Sequence, residues 1–280
     1  DELRKAISKK KKEEIEKHRA KFVKGAVEKG MEQSTADAIY SDWEEFARYG
    51  FNKSHAADYG VIAVQTAYLK AHYPAEYMTA LMSASASQTE KVAFYVADAR
   101  TMGVPVLQPD VNASEWDFSI EDIEADSAQG GVPVAEDGGS SRKKIPHIRF
   151  GMGAIKNVGE NSVQPIIDKR IANGKFTDLN DFARRVDLRT VGKRSLECLI
   201  KVGALDSFGN RASLLASLDR IVAISSAHFR AADAGQMSLF GSATGIVEEI
   251  HLPEVKDVDK REMLNWEREL IGLYITDHPL

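Results

Sequence analysis

Apolar residues in the first hundred positions recur every three or four residues rather than in alternation, a spacing that predicts helices. Over residues 3–29 a strongly charged segment carries a sparse apolar stripe of Leu3, Ile7, Ile15, Phe22, Val23 and Val27, and Gly30 ends it. Ser34 or Thr35 can cap a second helix with Ile39, Trp43, Phe46 and Ala47 turned inward, closed by Gly50. A third helix is predicted over 54–72. Pro74, at a first-turn position, opens a fourth that runs to 83, and a fifth covers 88–102.

The period then changes. Alternating stretches at 104–107, 116–120 and 145–150 predict short strands. Between the last two, residues 122–144 mix acids with Gly130, Gly131, Gly138, Gly139, Ser140 and Ser141, too little apolar density to fold, so a mobile surface loop is expected. Helical spacing resumes over 159–172, 179–185, 193–201 and 211–232. A tail with Gly235, Gly241 and Gly245 precedes a last helix over 257–270. The expected fold class is mainly α with a few short β-strands in the middle.

With 280 residues and 43% hydrophobic content, the chain can bury a sizeable core as one large domain or two to three small ones. The single Cys198 excludes an internal disulfide framework and reads as a small buried hydrophobe, which suits a reducing cytoplasm. No apolar run approaches the roughly 20 residues that span a bilayer, so no membrane partner is expected. The net charge of −5 hides segregation. Residues 1–30 hold eleven Lys/Arg against six Asp/Glu, and residues 142–211 hold fifteen against seven. Residues 112–141 carry eight acids and no base, and 212–280 carry six bases against eleven acids. Two basic blocks on an otherwise acidic chain are compatible with a nucleic-acid-facing surface.

Three places carry candidate chemistry. Lys53, Ser54 and His55 stand where a long helix begins, and exposed amides beside a lysine suit an anion such as a triphosphate; simple capping by Asn52 or Ser54 is the alternative. In AIKNVGENSVQPII, residues 154–167, a helix leads through a tight Asn157-Val158-Gly159 turn into another helix. This is a helix-hairpin-helix layout, in which amides at the second helix start bind a backbone phosphate, Lys156 adds charge, and Asn161 or Ser162 adds a side-chain donor. Asn157, where a glycine is usual, tolerates a left-handed conformation but brings a side chain. A plain αα-hairpin is the other reading of the same residues. The second Gly-punctuated helical pair, VGKRSLECLIKVGALDSFGNRASLL, and the local positive charge favour nucleic acid. In AADAGQMSLFG, Gln236, Met237, Ser238, Leu239 and Phe240 form either a short partner-binding peptide, with the Gln amide at the rim of an apolar cleft, or part of a local core. Lys9, Lys10, Lys11 and Lys12 form either a solvated helix face paired with Glu13, Glu14 and Glu16 or a phosphate-facing one. The histidines are scattered without metal-ligand spacing and no serine lies in a triad context, so no metal site and no catalytic residue is assigned.

Residues 50–78, GFNKSHAADYGVIAVQTAYLKAHYPAEYM, closely resemble the fingers of the alpha subunit of bacterial DNA polymerase III, the C-family replicative polymerases, in FNKSHA, the Gln-Thr pair and LKAHYPAE. LRKAISKKKKEE resembles that family's LRRAMGKKK block, with Ser8 in place of a common glycine. IRFGMGAIKNVGE, FTDLNDFARRV and LIKVGALDSFGNRASLL resemble its duplex-binding helix-hairpin-helix region. The peptide around Gln236 resembles its sliding-clamp peptide, and REMLNWERELIGLYITDHPL resembles the lead into its OB-fold domain.

The resemblance implies a fingers region over 1–120, a flexible acidic loop over 121–144, a helix-hairpin-helix region over 145–232, a clamp-binding tail over 233–256 and a closing helix over 257–280. It implies that Lys53, Ser54 and His55 cradle the incoming nucleotide's phosphates, that Arg4, Lys5 and Lys9 to Lys11 face DNA, and that Gln236 to Phe240 bind the beta clamp. Primer-template duplex, a deoxynucleoside triphosphate, the clamp and other replicase subunits are the implied partners. Magnesium is expected in the parent through palm carboxylates upstream of residue 1, so this stretch is expected to bind DNA and clamp but not to polymerise alone. A free-standing DNA-binding adaptor recruited by the clamp is the alternative. A hairpin-based glycosylase would need Asp178 or Asp181 as its catalytic acid, within what reads as an ordinary capped helix.

Overall fold

The computed structural model describes residues 12–49, 53–124, 144–233 and 249–276. The chain divides into two compact units, 1–68 and 69–280, the division falling within the third described helix.

In the first unit, α1 (Lys12–Glu28) packs against α2 (Gln33–Tyr49), joined by a turn in which Gly30 takes φ +89°. α2 starts at Gln33, so Ser34 and Thr35 lie in its first turn rather than before it. Ala36 and Tyr40 are buried on α2 among its described side chains, with the Phe22 ring 5.7 Å from Tyr40 and 4.8 Å from Trp43. The expected inward stripe is corrected here, because Trp43 and Phe46 are 39% and 64% exposed. One partner helix covers only the edge of the α2 face nearest Tyr40, whose hydroxyl donates to the Ile15 carbonyl at 2.6 Å. Arg19 donates to Asp37, Ser41 and Glu44 and ties the pair together. α3 (Lys53–His72) follows, and Tyr59, Val61, Ile62, Val64 and Tyr68 are all more than half exposed along it.

In the second unit, α4 (Pro74–Ala84) and α5 (Thr89–Thr101) pack together through Met78, Met82, Val92, Val96 and Ala99, and α4 lies against a small sheet. The sheet runs β1-β3-β2, with β1 (Val106–Leu107) parallel to β3 (Lys144–Arg149) and β2 (Ser119–Glu124) antiparallel to it. β2 lies further along the chain than the 116–120 expected. Its register sets Glu121 opposite His147 and Glu124 opposite Lys144, so Asp122 to Glu124, read as loop, are strand held by a partner the local pattern does not reveal. The remaining expected loop residues, 125–143, lie outside the described residues.

Five further helices make the middle of the unit: α6 (Glu160–Asn173), α7 (Leu179–Arg185), α8 (Leu188–Val191), α9 (Lys193–Lys201) and α10 (Arg211–Ala216). α11 (Leu218–Asp233) follows a break at Ser217 in what the spacing predicted as one helix over 211–232, and α12 (Lys260–Ile271) closes the unit. The fold is mainly helical, as expected. Val163, Ile166, Phe182, Leu196, Leu199 and Ile200 are fully buried and make one core with the sheet residues Ile148 and Phe150.

Candidate nucleic-acid interface

The hairpin begins on the sheet. After β3 the chain enters a single 3-10 turn, Met152–Ala154, where a full helix was expected as the first arm of the hairpin. Glycine is required beneath it, since a Cβ on Gly153 would lie 2.6 Å from the Trp116 ring and one on Gly151 would lie 2.5 Å from the Asp117 backbone. Ile155 and Val158 are buried on either side of the two exposed residues Lys156 and Asn157, so the turn is clamped from below by its apolar members. Asn157 takes φ +64°, the left-handed conformation that its identity allowed, and the Val158 amide closes the turn on the Ile155 carbonyl at 3.3 Å.

Gly159 caps α6 through its backbone, accepting from the amides of Ser162 at 2.9 Å and Val163 at 3.2 Å. A Cβ there would meet nothing within 4 Å, which leaves the helix start open on that side. The amides of Glu160 and Asn161 find no acceptor among the described residues, as expected at an uncapped helix start. Their partial positive charge attracts an anion, while Glu160 in the same turn opposes it.

A second helix start meets this turn. Gly192, at φ +79°, leads into α9 without a side-chain cap. Ser195 Oγ donates to the Asn157 carbonyl at 3.1 Å and lies 3.2 Å from Ser162 Oγ, while Arg194 Nη2 donates to Asn157 Oδ1 at 3.0 Å. The starts of α6 and α9 therefore converge on Asn157, with the exposed Lys156, Lys193 and Arg194 around them. Lys193 also pairs with Asp219 at 2.6 Å, but both side chains are exposed and such a pair is weak. Beneath them burial pushes the Cys198 thiol above its ordinary pKa, against a hydrogen bond from Asn157 that lowers it.

Two arginines fix α6 from its other end. Arg170, 8% exposed, donates to the Val111 and Ser114 carbonyls at 3.0 and 2.7 Å and pairs with Glu115 at 2.6 Å, which binds the loop before β2 to the helix. Arg185 lies over the Phe176 ring at 4.4 Å and donates to the carbonyls of Lys169 and Gly174 at 2.7 Å, a side-chain cap on the carboxyl end of α6.

Of the expected phosphate contacts, Lys156, Asn157, Gly159 and Asn161 are exposed and Ser162 is half-buried, all within one turn of chain. Val158 is 7% exposed and its side chain packs in the core cluster. Gly192, Lys193, Arg194 and Ser195 join the turn only in the fold and are not singled out by their local sequence. The repeated Val-Gly before a helix, at Val158-Gly159 and Val191-Gly192, was the available signal. In the other unit, Lys53 is the first residue of α3, and Ser54 and His55 are exposed in its first turn, with the His55 ring edge-on to Tyr59 at 4.4 Å. Lys9, Lys10, Lys11 and the peptide Gln236, Met237, Ser238, Leu239 and Phe240 lie outside the described residues, as do Arg4 and Lys5.

Asp178 caps α7, accepting from the Asp181 amide at 2.8 Å, and Asp181 pairs with Arg185 at 2.9 Å, so both have structural partners. Among the described residues no three His, Cys, Asp or Glu side chains are placed to hold a metal ion, and no helix is long and apolar enough to cross a membrane.

The family model for the helix-hairpin-helix motif matches residues 103–214, a span that contains this turn, the helix start after it and the start of α9. Over its whole length the chain is 42% identical to DNA polymerase III subunit alpha of Thermus aquaticus, 41% identical to that of Vibrio cholerae and 40% identical to that of Neisseria meningitidis. It spans about a fifth of the length of these relatives, 21 to 22%. The chain is homologous from end to end to a segment of DNA polymerase III subunit alpha.

Proposed function

We propose that this chain is the part of a bacterial replicative DNA polymerase that holds duplex DNA by its sugar-phosphate backbone. One phosphate would sit at the α6 start, against the amides of Glu160 and Asn161 with Lys156 beside them, and Arg194 at the α9 start would meet the same strand. The observation that carries this is the convergence of two uncapped helix starts on Asn157, with open space at Gly159 and exposed cations around it. Contacts of this kind read backbone and not bases, which suits a polymerase that must accept every sequence.

In the same proposal Ser54 and His55, with Lys53, meet the triphosphate of the incoming nucleotide at the start of α3. The peptide Gln236 to Phe240 attaches the sliding clamp, and other replicase subunits bind the full-length protein. Nucleotidyl transfer on two magnesium ions needs clustered carboxylates, and in this reading they belong to other parts of the parent polypeptide, in the cytoplasm.

A titration of labelled duplex at several salt concentrations tests the hairpin. Lys156→Ala and Arg194→Ala are each expected to weaken binding similarly on unrelated sequences and to reduce the magnitude of the salt slope by about one. Unchanged slopes in both variants would remove the hairpin from the DNA contact.

A further inference from the structure

The closing helix α12 contains a buried carboxylate that the DNA-binding proposal does not use. Glu267 is 1% exposed, and its oxygens accept from the Ile275 amide at 2.9 Å, the Thr276 amide at 3.3 Å and the Thr276 hydroxyl at 2.7 Å. Arg211, itself 3% exposed, approaches the same carboxylate at 3.4 Å and holds Asp206 at 3.0 Å and the Lys201 carbonyl at 3.0 Å. A carboxylate this buried holds its place only while those donors surround it. Lys201 adds a contact from α9 to α12, its ammonium 5.5 Å from the Trp266 ring.

One helical turn beyond Glu267, α12 ends. Gly272 closes it at φ +78° by donating to the carbonyls of Glu267 and Arg268, with its α-carbon so close to the Thr89 side chain that any larger residue would collide. The Leu270 carbonyl, left without a helical donor, accepts instead from the backbone amide of Lys156 at 2.9 Å. The carboxyl end of α12 is thus hydrogen-bonded to the residue that begins the exposed part of the hairpin turn. Two elements far apart in sequence are joined through one amide, at a carbonyl three residues on from Glu267 along α12.

We infer that Glu267 is a positioning residue for DNA binding: by locking α12 to Arg211 and to the 272–276 strap, it sets the Leu270 carbonyl that holds Lys156 and hence the phosphate-gripping turn. This rests on the hairpin being a phosphate site. Glu267→Gln keeps the size of the side chain but turns an amide NH2 toward donors, so the lock loosens. Thr276→Val removes one donor, keeps the shape, and serves if the first variant does not fold.

The test is a double-substitution cycle on the 280-residue chain, read by duplex affinity and salt slope well below the melting temperature. Glu267→Gln is expected to weaken binding by about tenfold and to flatten the salt slope by about one. Lys156→Ala is expected to lose most of its effect in the Glu267→Gln background, because the lysine is already misplaced there. A merely structural role would lower the melting temperature and the binding-competent fraction while leaving the affinity of the folded fraction and its slope alone. Equal fold-losses from Lys156→Ala in both backgrounds, or an unchanged slope in Glu267→Gln and Thr276→Val, would overturn the inference. If the unaltered chain bound no duplex at all, the hairpin proposal would fall first and this one with it.

Discussion

Replacing Asn157 separates the two things that residue does. Its left-handed backbone costs an ordinary L-residue about 1–2 kcal/mol, less for Asn and nothing for Gly, and its Oδ1 accepts from Arg194 at 3.0 Å on an exposed surface. Such a bond contributes about 0.5–1.5 kcal/mol. Asn157→Ala loses the bond and meets the full backbone penalty, so a destabilisation of roughly 1.5–3 kcal/mol is expected. Asn157→Gly loses the same bond but sits freely at φ +64°, offset by the larger entropy of its unfolded chain, about 0.5–1 kcal/mol, so a loss near 1 kcal/mol is expected. Urea denaturation followed by tryptophan fluorescence reads both, since one of the three emitters, Trp116, packs against Gly153 next to the turn. Slopes must match the unaltered chain for midpoints to be compared. If the alanine variant were as stable as the glycine variant, the turn would not depend on left-handed backbone at residue 157, and the account of its geometry would fail.

Two glycines of the hairpin should behave oppositely. Gly153→Ala drives a methyl into the Trp116 ring and is expected to cost about 1–3 kcal/mol in thermal unfolding, whereas Gly159→Ala enters open space and should change stability by less than about 0.5 kcal/mol. In duplex titrations Gly159→Ala should nevertheless weaken binding, since its methyl occupies the approach to the α6 amides. The Arg189 side chain, which hydrogen-bonds the Asp187 cap of α8, holds the Asp187 carboxyl below the usual carboxylate range. A depressed folded pKa means that the stabilisation is complete above the unfolded value, about 3.9, and is lost as pH falls through the folded one. The melting temperature of the unaltered chain should therefore exceed that of Asp187→Asn near neutrality and converge on it in acid; a constant gap down to pH 2 would refute the assignment.

Much of this arrangement could be read in the residues because it is set locally. The helical spacing over 179–185 and 193–201 matches α7 and α9 to the residue, and Asn157 is a residue that tolerates the left-handed backbone it adopts. What failed depended on a distant partner. β2 was misplaced since its extent is fixed by pairing with 144–149, across residues whose composition reads as loop. The stripe on α2 was read too broadly because helical period says which residues share a face, not how much of it a neighbour covers, and Phe46 stays exposed. The site was half visible for the same reason. The turn at 156–162 is contiguous, but Arg194 and Ser195 reach it only through the packing of α9 against the helices before it.

The bond from Lys156 to Leu270 also bears on how the chain is made. During synthesis the turn leaves the ribosome well before α12 does, so its amide must wait in water, unsealed, until that helix arrives and docks. Any shortened version ending after α11 would keep that waiting state permanently. Its Arg211 would then lack Glu267, and the apolar residues that Leu270 and Ile271 cover would be left to solvent or to aggregation.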